Sequence, residues 1–175
     1  MIRVRTRAGA VLAAGAVALA AAGTAVAAHP ESGKKFSGTT SGPEMNGFKP
    51  AVTFKTASNG ARILKFVFQS GGCFGSGGPT QPGVNYLAKP WNVHLVGTIK
   101  VGSDGKFSVK NAKSTYKVAV QGSTQSTVTT ASVSGKFTNR KTATGTITYS
   151  QAYSQPGVPG SSCGPVKLTF KATVK

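Results

Sequence analysis

Apolar and polar residues alternate with a period of two through most of the chain after residue 35. The pattern is cleanest at the end, where Val166, Leu168, Phe170, Ala172 and Val174 share one parity and Lys167, Thr169, Lys171, Thr173 and Lys175 the other. That spacing predicts a strand with one face in a core and one in water. It also predicts strands over residues 36–40, over 51–56 with Val52 and Phe54 inward, and over 91–101 with Trp91, Val93, Leu95, Ile99 and Val101 inward and a bend at Gly97. Further strands follow over 106–110 (Phe107, Val109), 114–120 (Tyr116, Val118, Val120), 127–138 (Val133, Phe137) and 142–150 (Ile147, Tyr149). In 61–69, Leu64, Phe66 and Phe68 oppose Ile63, Lys65 and Val67. Apolar residues on both sides predict a place inside a sheet rather than at its edge.

Asn59-Gly60 and Asp104-Gly105 are hairpin turn signals. No stretch after residue 35 repeats apolar residues at helical spacing, and valine, threonine and phenylalanine take the place of helix formers. The expected fold class is therefore all-β: an antiparallel β-sandwich, jelly-roll-like or immunoglobulin-like, of about nine strands, with an open barrel as the related solution.

The start of the chain belongs to a different category. Arg3, Arg5 and Arg7 precede a small, apolar run over residues 8–22, and Ala25-Val26-Ala27 has the form of a cleavage site. Residues 1–27 are thus expected to be a cleaved secretory signal peptide, with cleavage after Ala27 or Ala28. Residues 28–35, AHPESGKK, read as a disordered tail, and 36–175 as a single domain. Export places Cys73 and Cys163 in an oxidising compartment, where two cysteines are read as a disulfide. Such a bridge closes a loop of about 90 residues and is worth roughly 4 to 5 kcal/mol if unstrained.

Two segments lack alternation, residues 70–90 and 151–165, and both read as long loops. Gln81-Pro82-Gly83-Val84 in the first is echoed by Gln155-Pro156-Gly157-Val158 in the second, each eight residues from a cysteine. A disulfide would gather the two loops at one end of the domain. Phe74, Tyr86, Trp91 and Tyr153 lie in or beside them and are the candidate ligand contacts, suited to a sugar ring or a peptide.

Charge adds a second candidate surface. Removing the three leader arginines from 21 basic residues leaves 18 against Glu31, Glu44 and Asp104, a mature net charge of +15. Dispersed lysine serves solubility and guards exposed strand edges. It also suits polyanions, for which Lys117, Lys167, Lys171 and Lys175 are the candidates. Lys117 joins the other three only if its strand lies in the same sheet.

Catalytic chemistry finds little material. Three scattered carboxylates supply no acid and base pair, and His94 falls on the outward parity of its strand. Gly71-Gly72-Cys73-Phe74-Gly75 lacks the strand-to-helix setting of a nucleophile elbow, and Ser114-Thr115-Tyr116-Lys117 lacks the helix and companion motifs of an S-x-x-K site. No metal cluster and no phosphate loop are read, and no cofactor is expected. Arginine is scarce and the chain is exported, so nucleic acid is not an expected partner.

The arrangement Gly105-Lys106-Phe107, Val133-Ser134-Gly135-Lys136-Phe137, Ala143-Thr144-Gly145-Thr146-Ile147, then Cys163 and Val166-Lys167-Leu168-Thr169-Phe170-Lys171-Ala172, with Cys73 earlier, resembles a family of small secreted bacterial β-sandwich domains of uncharacterised function. The resemblance implies an exported, disulfide-tied sandwich and brings no catalytic residue. The resulting expectation is a secreted, non-enzymatic binding module at or near the cell envelope, with no transmembrane segment after cleavage. Its ligand is a glycan, a peptide or an anionic wall polymer, met at the disulfide-linked loops or at the lysines. A secreted protease inhibitor is the third expectation.

Overall fold

The computed structural model describes residues 29–44, 47, 49–70, 91–120 and 122–175. Nine strands follow in order: β1 (Lys35–Thr40), β2 (Ala51–Thr56), β3 (Arg62–Ser70), β4 (Trp91–His94), β5 (Thr98–Lys100), β6 (Lys106–Val120), β7 (Ser123–Asn139), β8 (Thr142–Gln155) and β9 (Val158–Val174). All neighbours are antiparallel, in the order β4-β3-β2-β1-β9-β8-β7-β6, and β5 also pairs with β3. The chain is all-β, as alternation predicts. The strands do not divide into the two sheets of a sandwich. They form one sheet that curls until its ends almost meet, a nearly closed barrel, with β5 reaching β6 through the single bridge Val101↔Phe107.

The strand total agrees with the sequence reading, but the divisions differ. The expected strand 91–101 is broken into β4 and β5 around Gly97, whose φ of +96° and the 81% exposed Val96 mark the bend. The expected pair 106–110 and 114–120 is one strand, β6, interrupted by a bulge at Asn111 with φ 52°. Lys65, also at φ 52°, resets parity inside β3, so Ile63 joins Phe66 and Phe68 inside while Leu64 does not. β3 is nonetheless an interior strand, between β2 and the β4/β5 pair.

The barrel interior is built from phenylalanine. Phe36 stacks on Phe54 at 4.9 Å and Phe54 on Phe66 at 5.5 Å, with Phe137, Phe107 and Phe170 set against them at an angle. Two of the motif glycines belong to this packing. Phe107, Gly135, Gly145 and Phe170 lie abreast on β6, β7, β8 and β9. A Cβ on Gly135 would meet the Phe107 ring at 2.5 Å, and one on Gly145 the Phe170 ring at 2.6 Å. The rings from both flanks thus fill the space two side chains would take, a device that stabilises glycine inside a sheet.

The expected disordered tail is partly attached to the barrel. Glu31 N–H donates to the Arg140 carbonyl at 2.9 Å, Gly33 N–H to Ala57 at 2.9 Å, and Thr56 Oγ1 donates to the Glu31 carbonyl at 2.6 Å. Pro30 is buried. The predicted signal peptide lies outside the described residues.

Candidate functional site

The four long strands β6 to β9 run past the ends of β1 to β4. Beyond the row Ala112, Ala131, Tyr149, Val166, their inner face changes character. The next row is Ser114, Thr129, Gln151, Cys163, and the one after is Tyr116, Thr127, Tyr153, Ser161. Gln151 is 1% exposed, and Thr127 and Thr129 are buried with it. Burial of such groups is tolerated because they bond each other. Tyr153 Oη donates to Gln151 Oε1 at 2.9 Å, Gln151 Nε2 donates to Thr129 Oγ1 at 3.1 Å, and Gln155 Nε2 donates to Ser123 Oγ at 2.9 Å. Burial raises the Tyr149 hydroxyl pKa, opposed by a hydrogen bond with Ser70. Burial, and then proximity to Tyr149, pushes Tyr153 up to about 12.

The expected loop over 151–165 is therefore a correction. β8 continues to Gln155, only Pro156-Gly157 turn the chain, and β9 begins at Val158. Proline in a strand is accommodated by a register shift: Tyr149 pairs Val166 and Gln151 pairs Cys163, leaving Gly164 and Pro165 on β9 against Ser150 alone on β8. Of the candidate ligand contacts, Tyr153 lies on this polar face, and Trp91 opens β4 opposite Ser70. Phe74, Tyr86 and Cys73 lie outside the described residues. Tyr116, 41% exposed, shares the row of Tyr153 and was not among the candidates.

The outer face of the sheet carries the lysines. Lys167, Lys171 and Lys175 are exposed on the water side of the last strand, as alternation predicts. Lys117 is in the same sheet but does not join them. β7 and β8 stand between β6 and β9, roughly 14 Å in three strand spacings. Its own row runs through Ser126 and Ser154. Register supplies other partners. Lys175, just past the end of β9, lies abreast of Lys35 on β1 and Lys55 on β2, with Lys175 N–H donating to the Lys35 carbonyl at 3.1 Å. Lys106, Lys136, Thr144 and Lys171 form a second row, and Arg62 faces Lys100. Parity marks every one of these cations as outward. Their neighbours were unreadable because pairing order is not in the pattern.

Like charges on directly opposed strand positions are unfavourable. Among the described residues there are two ion pairs, Lys106 Nζ to Asp104 Oδ2 at 2.7 Å, which relieves the Lys106 row, and Lys141 Nζ, in the turn between β7 and β8, to Glu31 Oε1 at 3.8 Å. The hydrogen bond from the Lys106 side chain, and then the Lys106 backbone N–H, lowers the Asp104 pKa, and the same side-chain contact raises that of Lys106. Among the described residues no three His, Cys, Asp or Glu side chains come together as metal ligands. His94 is exposed on β4. No family model matches the chain, and no curated protein or solved structure matches it either.

Proposed function

We propose that this is a secreted, non-enzymatic domain that binds anionic polymers at the cell envelope through the lysines on the outside of its barrel. The observation that carries the reading is the row Lys175, Lys35, Lys55. Edge protection does not account for it, because β9, β1 and β2 are all interior strands of the sheet. Three ammonium groups abreast, with threonine and serine hydroxyls between them and the next row, suit an extended chain of anionic oxygens. The mature net charge of +15 draws such a polymer from a distance. In this reading the signal peptide delivers the chain to the envelope and Cys73 pairs with Cys163 there. A contact surface made of two loops has less support, since one of them is the β8–β9 hairpin.

The test is retention of the mature protein on an immobilised anionic polymer across a salt series. The expected result is elution that moves steeply with ionic strength, and a loss of retention in Lys35→Thr/Lys55→Thr exceeding that in Lys110→Thr/Lys113→Thr, which removes the same charge elsewhere. Retention indifferent to salt, or equal for the two variants, contradicts the reading.

A further inference from the structure

The seam where the barrel nearly closes holds an open groove of about 510 Å³, with Lys100, Lys106, Ser108 and Ser134 in its lining. Its origin is the topology. β5 and β6 are joined by the bridge Val101↔Phe107 and by the turn beyond it, where Gly102 N–H donates to the Lys106 carbonyl at 2.7 Å, and among the described residues no ladder continues between the two strands on the other side of that bridge. The groove's two ammonium groups come from opposite sides of the seam, Lys100 from β5 and Lys106 from β6. Each already faces a cation on its other neighbour, Arg62 and Lys136. A groove lined by two ammonium groups and two hydroxyls, each ammonium with a further cation beside it on the neighbouring strand, is short of negative charge. In the free protein one carboxylate supplies it: Asp104 holds the Lys106 ammonium at 2.7 Å while accepting the Lys106 backbone N–H at 3.0 Å. Both side chains of this pair are largely exposed, so the ammonium can change partners without being stripped of water.

We infer that the seam groove is a second contact, in addition to the Lys175, Lys35, Lys55 row, that takes a phosphate-bearing polymer, and that Asp104 is an internal competitor which the incoming phosphate displaces from Lys106. Phosphate is the chemistry of choice because its several free oxygens can take ammonium donors from both walls and the hydroxyls of Ser108 and Ser134 together. The inference rests on the polyanion reading above and goes beyond it by naming a site, a ligand class and a competing residue.

The experiment measures binding of fluorescently labelled inorganic polyphosphate to the mature protein at low salt, with polygalacturonate as the carboxylate counterpart. Asp104→Asn keeps an oxygen to accept the Lys106 N–H and removes the competing charge. Glu44→Gln removes one negative charge elsewhere and serves as its control. The expected result is polyphosphate binding about threefold tighter for Asp104→Asn than for Glu44→Gln. Lys100→Gln is expected to weaken binding more than Lys113→Gln. Equal affinity of Asp104→Asn and Glu44→Gln overturns the competitor, equal affinity of Lys100→Gln and Lys113→Gln overturns the groove, and a preference for polygalacturonate overturns phosphate. Each leaves the general polyanion reading standing. Failure of the native protein to bind either polymer overturns both.

Discussion

Strands β6 to β9 pass through two environments, and the contrast between them organises the molecule. At the barrel end their inward residues are Phe107, Val133, Phe137, Ala143, Ile147, Leu168, Phe170 and Ala172, all buried in a dry cluster. At the far end the same parity carries Thr127, Thr129, Gln151 and Tyr153, also inward, the last three linked by hydrogen bonds. Tyr149 stands at the boundary, its ring 5.4 Å from Phe68 and its hydroxyl bonded to Ser70. The β7–β8 ladder is continuous across that boundary, so strand geometry does not require an apolar face. What it requires is that whatever points inward be satisfied, by packing at one end and by polar partners at the other.

The contrast is tested most strongly at the dry end. Phe54 sits 2% exposed against the rings of Phe36, Phe66, Phe107 and Phe137. Phe54→Ala is expected to lose about 3 to 5 kcal/mol in urea unfolding, since the cavity forms among rings that cannot all relax into it. A loss near that of a surface substitution would mean that the stack is not what holds the barrel. At the polar end, Gln151→Leu keeps the volume but removes the acceptor of Tyr153 and the donor to Thr129. It is expected to cost about 1 to 3 kcal/mol, most of it recovered when Thr129→Val and Tyr153→Phe are added. If Gln151→Leu stabilises the protein by itself, the two ends are alike and the polar rows are merely wet.

This contrast also explains which parts of the fold were legible. Where inward residues are apolar, alternation identified β1, β2 and the second half of β9, and the hairpin signals fell at real turns. Where Gln151, Tyr153 and Ser161 point inward, polar residues stand on both faces, so hairpin strands read as a loop. Pro165 reinforced that reading, because the bulge that tolerates it is a matter of pairing with β8. Parity errors came from single residues, as when Lys65 turned Leu64 outward and Ile63 in. The lysine rows needed strand order, which placed Lys35 and Lys55 beside Lys175 across a long stretch of sequence, and separated Lys117 from all three.

The subtlest difference between the two ends is in how they respond to alkali. The phenylalanine end has nothing to titrate, whereas Tyr153 holds its proton to about 12 against an ordinary value of 10.0, chiefly because burial penalises the phenolate. In the unfolded chain the same hydroxyl gives up its proton near the ordinary value. Between those two pH values the unfolded state binds fewer protons, so stability contributed by the neutral hydroxyl is intact below the lower value and lost as pH rises toward the higher. Tyr153→Phe tests this. The variant lacks the Gln151 hydrogen bond and starts less stable at neutral pH, yet it is expected to fall less steeply than the native protein as pH rises above the ordinary tyrosine value. The ultraviolet absorbance of tyrosinate, followed in the folded protein, is expected to show late titration from both Tyr149 and Tyr153, and the latest component is expected to disappear in Tyr153→Phe. Parallel stability curves for the two proteins, with no late component lost, would mean that the far end of the sheet is open to water and that Gln151 and Thr129 do not close over Tyr153.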